Sequence, residues 1–119
     1  MIDLSDGLAQ DLRRLCLESG TGAVIEEAAI PVDPAARAIM GRERGIACAL
    51  FGGEDYELLF AARPRHARAV ARVARGIRMP IARVGEVLQR RRGITILTSA
   101  GRYQDLPAGG FEHFPRRRR

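Results

Sequence analysis

Apolar residues change their period along this chain, and that change limits the fold more than any other feature. Leu8, Leu12, Leu15 and Cys16 share one face of a helix, whereas the apolar runs at 22–27, 56–61, 81–88 and 94–98 are short and nearly continuous. Helical stripes interleaved with short strands must bury themselves as helices on a sheet. The expected fold is therefore α+β, an α/β sandwich in which helices cover a mixed sheet. A length of 119 residues suits one hydrophobic core. Residues 1–114 are read as one domain and residues 115–119 as a disordered arginine tail.

Local signals place the elements. A helix is expected over residues 5–19, capped by Ser5 or Asp6 and ended by Gly20. A short strand follows at 22–27. Asp33 can cap a second helix with Pro34 at its first position, running to about Arg44. Residues 46–51 read as either a strand or a last helical piece, and Gly52-Gly53 as a turn. Tyr56–Ala61 reads as a strand covered on both faces. Pro64–Arg75 reads as a helix with an alanine and valine face. Ile81–Leu88 and Ile94–Thr98 read as a hairpin joined by the basic turn Gln89–Gly93, and residues 101–114 as mostly irregular.

Charge excludes some functions and leaves one question. The net charge is +6, and every basic side chain other than histidine is arginine, with no lysine. The arginines are scattered and aromatics do not alternate with them, which argues against a nucleic-acid platform. No apolar run approaches the length of a membrane span. Cys16 and Cys48 lack metal-ligand spacing and read as small apolar residues of a reducing cytoplasm. Against this basic background stand two acidic islands without arginine. Asp3, Asp6 and Asp11 lie within residues 1–12, and Glu54, Asp55 and Glu57 within 45–62. Carboxylates without cationic partners suit Mg²⁺ or a cationic ligand, and they equally suit helix ends and loops facing water.

Three segments could carry chemistry, and each has a plain structural alternative. Met1–Leu8 runs an extended segment into a helix start, where N–H groups and the Ser5 hydroxyl attract phosphate and Asp3 and Asp6 offer hard oxygens. The same residues could simply cap the helix. Phe51–Phe60 carries Glu54 and Asp55 between two glycines and a strand, either as site residues or as an acidic turn. Gly109–Phe114 brings Phe111 behind flexible glycines, either to stack on a flat ring or to plug the core.

The same segments resemble thiamine-monophosphate kinase. The residues concerned are Met-Ile-Asp-Leu-Ser-Asp-Gly-Leu at 1–8, Gly-Gly-Glu-Asp-Tyr-Glu-Leu at 52–58 and Gly-Phe-Glu-His-Phe at 110–114, in that order. The first is shared more widely among aminoimidazole-ribonucleotide-synthetase-related proteins, and the second is the specific one. The resemblance implies the fold of their C-terminal domain and transfer of the ATP γ-phosphate to thiamine monophosphate with Mg²⁺. It implies Mg²⁺ on Asp3 and Asp6, ATP at Ser5, and thiamine phosphate at Glu54 and Phe111. It also implies a cytoplasmic protein that lacks the family's N-terminal ATP-binding domain, through which the family usually forms homodimers. Such a chain should be inactive alone.

Two further expectations follow. Asp3, Ser5, Asp6 and Glu54 should line one open rim with Phe111 close by, because phosphoryl donor and acceptor must meet in line. Apolar surface shared with a covering domain should be exposed. The rival readings are a non-catalytic thiamine-phosphate-binding module, another ATP-dependent member of the superfamily, and a nucleic-acid binder led by the arginine tail.

Overall fold

A computed structural model describes residues 1–52 and 57–107. The chain begins with β1 (Ile2–Leu4) and enters α1 (Leu8–Ser19), which Gly20 ends in a left-handed turn. β2 (Thr21–Glu26) follows. Then come α2 (Pro34–Met40), α3 (Arg42–Phe51), β3 (Glu57–Leu59), α4 (Ala67–Gly76), β4 (Gly85–Gln89), β5 (Ile94–Leu97) and β6 (Tyr103–Asp105). The expected α+β architecture is present, with a mixed sheet and helices packed on it. Its strands fall into two sheets: a four-stranded one in the order β4-β2-β5-β6, and an antiparallel pair of β1 with β3.

α1 is the hub of the core. Leu8, Ala9, Leu12 and Cys16 are buried on its inner face, against Ala23 and Ile25 of β2, Ile96 of β5, and Ile46 and Leu50 of α3. Leu4 and Leu106 complete the cluster. At the other end of the helix–sheet contact, Arg13 donates from Nη2 to the Leu106 carbonyl at 2.7 Å and ties α1 to the chain after β6. Cys16 and Cys48 are both free thiols, one buried and one half-buried. Among the described residues no helix is long and apolar enough to cross a membrane.

Several local expectations need correction. The helix starting at Asp33 and Pro34 forms as expected, with Asp33 accepting from the Ala35 N–H at 2.7 Å. It ends at Met40 rather than Arg44, because Gly41 takes φ 79°, where a side chain would be strained, and redirects the chain into α3. Residues 46–51 are therefore helical. The β4–β5 hairpin does not form. The chain does reverse through Arg90–Arg92, but β2 lies between the two strands, antiparallel to β4 and parallel to β5. The Ala23 N–H donates to the Gly93 carbonyl at 3.0 Å, so the turn closes over β2. The Ile81–Leu88 strand starts only at Gly85, and residues 103–105, read as irregular, are the edge strand β6.

The strand read as covered on both faces is short and open instead. Among the described residues β3 pairs only with β1, and Leu58 is 58% exposed. Phe60, Ala69, Val70, Val73 and Ile81 line a shallow apolar depression, and α4 has no buried residue. An exposed apolar surface is thus present, centred on α4.

Candidate functional site

β1 feeds α1 through Ser5, Asp6 and Gly7, and this turn holds the candidate site. Asp3 is exposed on β1, and its carboxylate has no hydrogen bond or ion pair among the described residues. Ser5 is exposed, and the Asp6 carboxylate is about half-exposed. Asp3, Ser5 and Asp6 are therefore all solvent-facing, the first on β1 and the other two in the turn that follows it. Glu54 and Phe111 lie outside the described residues.

Neither Ser5 nor Asp6 caps α1. The N-cap is Gly7, with no side-chain cap. The backbone of the turn is held from inside by Asp11, which has no solvent exposure. Its Oδ2 accepts the N–H groups of Ser5 at 2.8 Å and Asp6 at 3.0 Å. Those two N–H groups are consequently not available to a phosphate. The leading N–H groups of α1, from Leu8 onward, are the ones that the helix leaves free.

The first acidic island is not without cations, contrary to the sequence expectation. Arg14 Nη1 lies 2.6 Å from Asp6 Oδ2 and 3.3 Å from Asp11 Oδ1. Arg14 is four residues beyond Gln10 on α1, so the pairing across the turn escapes a reading by sequence windows. Asp11 did leave a signal. It falls between Leu8 and Leu12 on the buried stripe, where a charged residue needs internal partners.

Gly7 fixes where the turn lies. Its φ of 100° and ψ of 156° belong to a region open essentially to glycine alone. A Cβ there would stand 2.7 Å from the Leu50 carbonyl oxygen and 2.9 Å from the Phe51 backbone. Close approach of the turn to the end of α3 thus requires glycine. Gly7→Ala is expected to destabilise the chain by about 3 kcal/mol, from backbone strain and overpacking together, as a lowered midpoint in urea denaturation. On the opposite side, Glu57 of β3 pairs with Leu4.

The AIR synthase related protein, C-terminal domain, family matches residues 1–98. The chain belongs to that family. Thiamine-monophosphate kinase of Escherichia coli K12 is 35% identical over 114 residues, covering 95% of this chain and 34% of that protein. The chain therefore spans about a third of the length of the curated relatives it matches. The crystal structure of thiamine-monophosphate kinase from Stenotrophomonas maltophilia K279a superposes with a TM-score of 0.76 at 30% identity, covering 89% of this chain and 31% of that one. AaThiL complexed with AMPPCP and TMP gives a TM-score of 0.65 at 26% identity, covering 95% and 33%.

For a C-terminal domain of this family, the donor set of the turn can be tested against a metal. No group of three Asp, Glu, His or Cys residues among the described residues could hold one. Asp3 and Asp6 supply two hard oxygen donors. Mg²⁺ commonly binds through one or two carboxylates, with phosphates and water completing its shell. Two carboxylates match that donor number, and Arg14 already engages Asp6.

Proposed function

We propose that this chain supplies the C-terminal portion of a thiamine-monophosphate kinase site, in which ATP phosphorylates thiamine monophosphate to thiamine pyrophosphate. Asp3 and Asp6 would hold Mg²⁺, Ser5 would contact ATP, and Glu54 and Phe111 would contact the thiamine phosphate. Mg²⁺ would neutralise charge on the transferring phosphoryl group. The chain's own part is to orient: Asp11 fixes the Ser5–Asp6 backbone, and the leading N–H groups of α1 favour phosphate. The other part of the phosphate clamp would come from a nucleotide-binding domain such as the longer relatives have room for.

One observation carries this reading. Asp3, exposed on β1, and Ser5 and Asp6 in the turn that follows present carboxylates and a hydroxyl to solvent directly ahead of the start of α1. The relatives' name, and a structural neighbour bound to an ATP analogue and TMP, support the same chemistry. The test is a coupled assay for ADP with ATP, Mg²⁺ and thiamine monophosphate. The chain alone is expected to show no turnover. A chimaera in which it replaces the matching third of the E. coli enzyme is expected to turn over. A soluble, folded chimaera that binds ATP without turnover would overturn the assignment.

A further inference from the structure

A second cavity lies at the far end of α3 from the Ser5–Gly7 turn. Its volume is about 260 Å³, and its lining includes Glu27, Ile30, Val32, Arg37, Arg42 and Ile46. α3 has 10 residues, and its last residues touch Gly7, so the cavity at its first residue is about 14 Å away along the helix. The floor is apolar: Ile30 and Ile46 are buried, and Val32 packs on the core. The rim is cationic. The Arg37 guanidinium has no hydrogen bond or ion pair among the described residues, and that of Arg42 donates from Nη2 to the Ser99 Oγ at 3.0 Å. Glu27 is the only carboxylate in the lining, and it accepts the Ser99 N–H at 2.6 Å instead of pairing with either arginine. Arg42 also opens α3, where the helix dipole adds positive potential.

We propose that this cavity binds a small phosphate monoester, with the phosphate between Arg37 and Arg42 and the organic part over Ile30, Val32 and Ile46. A carboxylate is satisfied by one guanidinium fork, whereas two separate forks match the oxygens and double charge of a phosphate. The volume lies just below the range of drug-sized pockets, which restricts the ester to a compact one. Ser99 keeps the site cationic by holding Glu27 in place while orienting Arg42.

The test is a titration of the 119-residue chain with phenyl phosphate, inorganic phosphate and phenol at physiological ionic strength, followed by amide NMR shifts. Phenyl phosphate is expected to give saturable shifts at residues 27–32, 37–46 and 99, and to bind several-fold more tightly than inorganic phosphate. Arg37→Gln with Arg42→Gln should weaken it at least ten-fold, and Arg91→Gln should leave it unchanged. Arg37→Gln alone removes no contact of the fold and should already weaken binding, so the reading does not depend on the double variant folding. Absence of saturation, shifts centred on Arg90–Arg92, or binding indifferent to Arg37→Gln would each overturn the proposal.

Discussion

Asp11→Ala is expected to destabilise this domain by about 3 kcal/mol, or on the order of 10–15 °C in thermal midpoint. Most domains have only about 5–15 kcal/mol in total. Two backbone N–H groups converge on one oxygen of a carboxylate with no solvent exposure, and each such charge-assisted bond contributes about 1.5 kcal/mol or more. Arg14 adds little to this sum, since it is about half-exposed and screened by water. Asp11→Asn should cost less, because an amide oxygen can still accept both N–H groups while its NH₂ faces Arg14. Calorimetry of the three proteins gives the ranking. A stability of Asp11→Ala equal to the parent would mean that the turn is not held from within.

Asp3 should behave in the opposite way. Asp3→Asn is expected to leave stability within about 0.5 kcal/mol, because the side chain is exposed and makes no hydrogen bond or ion pair among the described residues. In the chimaera it is expected to lower kcat by roughly 100-fold or more and to raise the Mg²⁺ concentration needed for half-maximal rate. Unchanged turnover and unchanged Mg²⁺ dependence would remove Asp3 from the metal role. Together the two carboxylates separate support from chemistry within nine residues of chain.

The parts of the fold that could be read from sequence are those set by local physics. The stripe of α1, its stop at Gly20 and the Asp33-Pro34 helix start all depend on neighbours a few residues away. What escaped depends on distant partners. The turn at 89–93 reverses the chain as its composition requires, yet only the insertion of β2 decides that β4 and β5 do not touch. Gly41 looked like one residue inside a helix, and its positive φ is what divides α2 from α3. The exposed Ser5–Asp6 turn ahead of α1 was legible from its composition. The hidden role of Asp11 was not assigned, although its place on an apolar stripe marked it.

The insertion of β2 also has a consequence in time. Ala23 pairs with Val87 on one side and Ile94 on the other, so both neighbours come about 65–70 residues later in the chain. At the roughly 5–20 residues per second of synthesis, β2 leaves the ribosome some 3–14 seconds before either partner exists. During that interval α1 can cover one face of β2, but the hydrogen-bonding edges of Ala23, Val24 and Ile25 stand open to any passing strand. The order of translation therefore leaves this inner strand of the sheet bare on both edges until β4 and β5 are made, and a nascent chain stalled before Gly85 would expose it indefinitely.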